Sequence, residues 1–231
     1  SNGSFDTSFN STGVVLTSFS SSFELATCLY IQADNKILVG GYASTTVSGS
    51  TSNNYAILRY NTDGTLDTTF SGDGKYVNGF ATQSDVLNSI SITGSRIYLG
   101  GYSYVNSSNR NDFFIVAITS SGTLDSTYNS GAGYYLYNTG YDDNGIVLVK
   151  HPSFTYLFGN SNNNFSYFKI GTINSNLFQN KLKVDFTAGD LEKNNGNLYY
   201  SGYNRIPYQP NSFTFYSARS SISKCNNDGV L

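Results

Sequence analysis

Short apolar runs punctuated by polar turn residues recur along this chain, and one run is especially regular. It ends in small residues each time: Lys36-Ile37-Leu38-Val39-Gly40-Gly41-Tyr42, Arg96-Ile97-Tyr98-Leu99-Gly100-Gly101-Tyr102, Thr155-Tyr156-Leu157-Phe158-Gly159 and Asn197-Leu198-Tyr199-Tyr200-Ser201-Gly202-Tyr203. Before each run stands a turn-forming stretch (Asp34-Asn35, Thr93-Gly94-Ser95, Pro152-Ser153, Asn194-Asn195-Gly196). In front of the turn lies another apolar stretch, as in Leu29-Tyr30-Ile31, Ile90-Ser91-Ile92 and Ile146-Val147-Leu148-Val149. Strand, tight turn, strand predicts an antiparallel hairpin. A third strand is predicted at Tyr55 to Tyr60, Phe113 to Ile118, Tyr167 to Ile170 and, more loosely, Phe213 to Tyr216. Lys75-Tyr76-Val77 and Tyr134-Tyr135-Leu136 predict a fourth, shorter one.

A second landmark punctuates these groups of strands: Ser1-Asn2-Gly3-Ser4-Phe5-Asp6, Asp63-Gly64-Thr65-Leu66-Asp67, Ser121-Gly122-Thr123-Leu124-Asp125, Ile170-Gly171-Thr172-Ile173-Asn174 and Asp228-Gly229-Val230-Leu231. The motif glycines lie 61, 58, 49 and 58 residues apart, which divides residues 1–231 into units of approximately 3–63, 64–121, 122–170 and 171–228. A repeat sets the architecture. Four antiparallel strands per unit predict an all-β chain built as a β-propeller, a single array of about four blades. A parallel solenoid is the rival. It needs crossovers of a dozen or more residues between paired strands, and the turns here are far shorter. Phe113 to Ile118 is apolar at every position, as expected of a strand covered on both faces. Gly40-Gly41 and Gly100-Gly101 predict close approach of another backbone. Ala43 to Asn54 and Ser103 to Asp112 read as long polar loops, the usual place for recognition on a regular scaffold.

These residues resemble the bacterial delta-60 repeat family, whose units combine a Gly-Gly strand, a strand ending near Arg-Tyr-Asn and an Asp-Gly-x-Leu-Asp-x-x-Phe segment. Lys36 to Tyr42, Tyr55 to Asn61 and Asp63 to Phe70 follow that pattern closely, as do Gly100, Gly122, Leu124, Asp125 and Tyr128. Beyond residue 140 the likeness decays, with Asn174 in place of the motif Asp. The resemblance implies a propeller-like repeat of large secreted or surface-exposed proteins, with no catalytic residues assigned to it.

Composition narrows the function classes. Charged residues make up 12% and aromatic residues 16%, so Ser, Asn and Gly solvate the surface while Tyr and Phe supply apolar area, the opposite of a disordered chain. A net charge of -2 removes the basic footprint that nucleic acid requires. No apolar run approaches the roughly 18 residues of a membrane span. Met is absent, and Asn227 to Leu231 duplicates the opening Ser1 to Phe5, so the segment reads as part of a longer array of about seven blades, with four self-closing units as the alternative.

The candidate chemistry is sparse. Asp63, Asp67 and Asp73, with Gly64, Gly72 and Gly74, gather carboxylates as calcium loops do, but without the alternating ligand order; turn-forming roles account for them. Asp6, Asp67 and Asp125 recur with Phe9, Phe70 and Tyr128, which predicts an Asp capping a turn and a ring plugging the space between blades. His151 is the one histidine and sits at a predicted hairpin turn. Cys28 and Cys225 form at most one disulfide and no spaced pair. Asn2, Asn10, Asn106 and Asn164 open glycosylation sequons, of which a chain rich in Asn and Ser holds several by chance. Tyr42, Tyr102 and Tyr203 follow the glycine-bearing strands and either stack on sugars or fill the core between blades. The expectation is a non-enzymatic, surface-exposed structural and recognition module of an extracellular or appendage assembly, contacting other protein chains. A lectin-like propeller is the alternative, and a propeller glycoside hydrolase or lyase a third class that needs converging carboxylates.

Overall fold

The computed structural model describes residues 3–19, 23–47, 49–80, 84–105, 110–150, 154–161, 164–171, 177–180, 186–194, 197–204 and 221–225. Apart from one 3-10 turn at Asn129–Gly131, its regular structure is all β. The first sheet holds β1 (Glu24–Ile31), β2 (Ile37–Val47), β3 (Ser50–Tyr60) and β4 (Lys75–Asn78). The second holds β5 (Ser84–Thr93), β6 (Arg96–Val105), β7 (Arg110–Thr119) and β8 (Tyr134–Tyr137). The third holds β9 (Asp143–Lys150), β10 (Phe154–Ser161), β11 (Asn164–Gly171) and β12 (Leu177–Asn180), and the last joins β13 (Phe186–Asn194), β14 (Asn197–Asn204) and β15 (Ser221–Cys225). Every pairing is antiparallel and sequential. The partner of β14 is Ser221–Cys225; the third strand expected at Phe213 to Tyr216 lies outside the described residues.

The sheets pack face to face in chain order. β5 lies across β1, β2 and β3, then β9 across β5, β6 and β7, and β13 across β9, β10 and β11. β7 shows what this does to a strand. Phe114, Val116 and Ile118 enter the core shared with the first sheet, alongside Leu38, Tyr55, Ile57 and Phe70. Phe113, Ile115 and Ala117 enter the core shared with the third, alongside Leu148 and Leu157. Asp112 to Ile118 is buried throughout, so its unbroken apolar run records burial on both faces.

Each first strand carries one extra residue, a β-bulge at Thr27, Asn88, Ile146 and Gly189, opposite Gly40-Gly41, Gly100-Gly101, Phe158-Gly159 and Ser201-Gly202 of the second strands. The close backbone approach expected at the glycines is found at the second of each pair: Gly41 and Gly101 meet the bulged strand of their own sheet, at the carbonyls of Leu25 and Val86, and the Gly101 backbone also lies against Gly145 of β9. Gly40 and Gly100 instead receive side chains: a Cβ on Gly40 would stand 2.7 Å from Leu87 of β5, and one on Gly100 2.7 Å from Leu148 of β9. The bulged residue then reaches the next sheet. Thr27 Oγ1 donates to the Leu87 carbonyl, and Asn88 Nδ2 donates to the Gly145 carbonyl at 2.6 Å. Leu87 and Gly145 each immediately precede their own bulge, so the seam repeats in register.

A correction concerns the segments read as polar loops. Ala43–Val47 pairs with Ser50–Asn54, down to Val47 opposite Ser50, and Ser103–Val105 pairs with Arg110–Asp112. They are strand extensions that carry two hairpins beyond the packed part of their sheets. The third sheet stops at Ser161 opposite Asn164, the register position where the other two begin to extend.

Candidate functional site

The recurring motif forms a rim of tightly engaged turns. Asp67 Oδ1 accepts the Thr69 backbone N–H at 3.1 Å and its hydroxyl at 2.7 Å, and Asp125 does the same for Thr127 at 2.9 and 2.6 Å. Asp6 caps Ser8 likewise, at 2.9 and 2.7 Å. The other carboxylate oxygen recruits cations. Asp67 Oδ2 binds Arg59 Nε at 2.6 Å and Lys36 Nζ at 2.7 Å, while Asp125 Oδ2 binds Arg96 Nε at 2.5 Å. Burial works against the Asp67 charge, yet hydrogen bonds from Lys36 and Thr69 and the Arg59 charge outweigh it and hold the carboxyl well below the usual range. Asp125 is lowered in the same way by Thr127 and Arg96 against its burial.

Arg59 also crosses to the next unit, donating to the Ser120 carbonyl at 2.6 Å and lying 4.6 Å over the Phe70 ring. The motif glycines Gly64 and Gly122 sit on the aromatics of the preceding motifs. A Cβ on Gly122 would stand 2.8 Å from Phe70, and one on Gly64 3.1 Å from Phe9. Backbone bonds reinforce the join, from Ser71 N–H to the Ser121 carbonyl and from Asn10 N–H to that of Asp63, both at 2.7 Å. Phe70 is fully buried, and Tyr128 packs edge-on to Tyr98 at 5.7 Å.

This rim leaves no free carboxylate trio of the kind a calcium loop uses. Asp63 accepts from Thr65 at 2.9 and 2.6 Å, and Asp73 from the Lys75 backbone at 2.9 Å, so each acid caps its own turn. Among the described residues no group of three or more His, Cys, Asp or Glu is placed to hold a metal.

Sequence reasoning missed a second set of acids at the opposite end of the first strands. Glu24, Asp85 and Asp143 share one register position, facing Ala43, Ser103 and Ser161. They accept backbone N–H groups of Phe19, Phe80 and Thr139 at 2.7, 3.0 and 2.9 Å. Burial pushes Asp85 up to about 6, against hydrogen bonds from Ser103 and Phe80. Asp112, buried with an unpartnered Oδ1, is raised by burial and then by the charge of Asp143. Only the equal spacing of each acid from the bulge could have flagged them, and a bulge is invisible before strands are aligned.

Tyr42 and Tyr102 are half-buried. Tyr42 lies against Phe23 at 5.8 Å, and the Tyr102 hydroxyl is raised by burial and then by Tyr42 and Asp142. Tyr203 falls in β14 and Asn164 opens β11. Asn10 is exposed, its side-chain amide donating to the Val14 carbonyl at 2.8 Å. Asn2, Asn106 and His151 lie outside the described residues. Cys28 is a free thiol that burial pushes up to about 11, and Cys225 falls in β15. The hairpin tips are polar: Thr46 and Thr51 are exposed and share a hydroxyl hydrogen bond of 2.7 Å. No described helix is long and apolar enough to cross a membrane.

No curated protein matches the chain. A family model described as domain of unknown function (DUF5122) beta-propeller matches residues 32–70 and 95–128. Each match runs from the second strand of a sheet to the motif aromatic, Phe70 or Tyr128, so what the chain shares with that family is the repeated unit of an all-β propeller fold.

Proposed function

We propose that the protein is a non-enzymatic scaffold of delta-60 type, a portion of a larger propeller of about seven blades. In this reading it serves in an extracellular or cell-surface assembly and contacts other protein chains through its extended hairpins. The observation that carries this reading is the contrast between rim and hairpins. Acids repeated from unit to unit are consumed in capping and ion pairing, whereas β2–β3 projects polar Ser, Thr and Asn residues, and β6–β7 Tyr104, Arg110 and Asn111, beyond the packed sheets. Variable elements on a rigid frame are where recognition concentrates.

The test places a photo-crosslinking residue at Thr46 or Thr51 and exposes the protein to an intact cell-envelope fraction. Crosslinks to protein at the tips, absent when the probe sits on the Asp34-Asn35 turn, support the reading. Glycan-array binding that disappears in Tyr42→Ala and Tyr102→Ala with the melting curve intact favours the lectin alternative, and turnover of chromogenic glycosides overturns the non-enzymatic assignment.

A further inference from the structure

The hairpin that extends the first sheet is clamped at its base by one side chain. Asn54 is 0% exposed, and its Nδ2 donates to the Thr45 carbonyl at 2.7 Å and to the Ser52 carbonyl at 3.0 Å. Thr45 and Ser52 are paired with each other, so this one amide ties the two strands together just beyond its own pairing with Ala43. Thr45 Oγ1 lies 3.0 Å from the same nitrogen, and Ser52 Oγ donates to Asn54 Oδ1 at 3.3 Å. The clamp works by donating hydrogens.

At the same register position the second sheet carries an acid. Asn54 faces Ala43, which faces Glu24, and Asp112 faces Ser103, which faces Asp85. In the third sheet the position is Asn164, facing Ser161 and through it Asp143. Asp112 therefore stands where the neighbouring sheets have amides. The carbonyls that match those of Thr45 and Ser52 belong to Val105 and Arg110, which pair with each other in the second hairpin. Asp112 is 5% exposed, and its Oδ1 has no hydrogen-bond partner. An ionised carboxyl can only accept, so it cannot reproduce the clamp; a protonated one has the O–H that can.

The groups around Asp112 favour a proton there. Asp143 of β9 acts on it from the next sheet, and both Asp143 oxygens are already engaged, Oδ2 by the Thr139 N–H at 2.9 Å and Oδ1 by the Thr139 hydroxyl at 2.6 Å. Of these two carboxyls, Asp112 is the one left to hold the proton. Asp85, beyond Ser103 in the same row, accepts the Phe80 N–H, and Asp142 accepts the Asn111 N–H at 2.9 Å. The charge of Arg110 works the other way, but its Nη1 donates to the Gly140 carbonyl. The titratable groups nearest in register on the flanking strands are the phenols Tyr104 of β6 and Tyr137 of β8. We propose that Asp112 is a proton-operated latch on the second hairpin: protonated, it donates to the Val105 or Arg110 carbonyl and closes the hairpin base as Asn54 closes the first, and ionised, it releases it. The proton is taken from solvent and returned to it. Burial and then the charge of Asp143 raise the carboxyl above its ordinary value of 3.8, so the latch is closed at acid pH and opens as pH rises through the raised value. The inference deepens the hairpin reading above and rests on it only for what the hairpin contacts.

The experiment is amide hydrogen exchange of the full chain, resolved by NMR at about pH 7.5 and about pH 4.5, with each rate divided by its intrinsic rate at that pH. The first hairpin, residues 43–47 and 50–54, serves as the internal standard for any change in global stability. In wild type, protection over residues 103–105 and 110–112 is expected to rise about tenfold relative to that standard on acidification, the worth of one hydrogen bond. Asp112→Asn is expected to keep the second hairpin protected at both pH values. Asn54→Asp is expected to pass the pH response to the first hairpin, and it tests the latch independently should Asp112→Asn fail to fold. Equal protection of the wild-type second hairpin at both pH values overturns the proposal. So does a response that persists in Asp112→Asn, which would place the titrating group at Asp143 or Asp85, and so does a first hairpin that ignores pH in Asn54→Asp. No partner is used, so failure here leaves the recognition reading standing. Crosslinks absent from the hairpin tips, with the exchange response present, reject that reading alone.

Discussion

Replacing Asp67 by Asn isolates the charge at the centre of the rim. The amide keeps an oxygen for the Thr69 N–H and hydroxyl, so the turn survives, but Arg59 and Lys36 lose their counter-charge. The two cations differ in weight. The Arg59 side chain is 8% exposed and that of Lys36 29%, so Lys36 recovers hydration easily and its share is under about 1 kcal/mol. A buried guanidinium left alone costs about 3 kcal/mol or more. For a chain of this size that corresponds to a fall of roughly 6–12 °C in Tm, read by far-UV circular dichroism or tyrosine fluorescence. Asp125→Asn is expected to cost less, since its partner Arg96 is 25% exposed, and Asp6→Asn, on a solvent-exposed turn, to change little. The decisive variant is Asp67→Asn with Arg59→Met. Removing the orphaned charge should recover more than half of the loss despite forfeiting the bond to Ser120, because most of the cost lies in the unpaired cation. A loss below about 1 kcal/mol for Asp67→Asn, or a double variant as unstable as the two single losses added together, would refute this account.

Gly122→Ala should destabilise by about 2–3 kcal/mol, since its φ of +81° disfavours a side chain and the new Cβ meets Phe70, whereas Gly72→Ala, with φ of +89° and open space around it, should cost about 1 kcal/mol; paired denaturant titrations separate conformation from packing. Asp85 holds its proton to about pH 6 in the folded state against an ordinary value of 3.8. The folded state therefore binds more protons between those values, and stability should rise by up to about 3 kcal/mol as pH falls from 7 toward 4. Asp85→Asn should flatten that rise in a Tm-against-pH series. Below that window the depressed carboxyls of Asp67 and Asp125 reverse the trend, their stabilisation being lost as pH falls through their folded-state values. Cys28, its thiol pushed up to about 11 by burial, should alkylate at pH 8 at least tenfold more slowly in the native protein than in denaturant; equal rates by mass spectrometry would contradict its packing.

Periodicity and turn chemistry alone carried the all-β class, the hairpins before Gly40 and Gly100, the short fourth strands at Lys75 and Tyr134, and the two-sided burial of Phe113 to Ile118. These are local properties: an apolar run, a Gly or Asn able to turn, a motif that returns. Four features waited for the tertiary structure. The bulges at Thr27 and Asn88 add one residue to one strand and exist only in the alignment of two. Ala43 to Asn54 reads as loop because it is rich in polar residues, yet main-chain pairing of Ala43–Val47 with Ser50–Asn54 holds both segments as strand whatever the side chains are. The partners of Asp67 come from the residue before β2, from β3 and from its own turn, and the exposure of Leu29 beside the burial of its counterpart Ile90 depends on which sheets lie face to face. A sequence specifies which groups tend to bury or bond, but which group meets which is a matter of distance in space, and only the packed sheets bring such distant positions within reach.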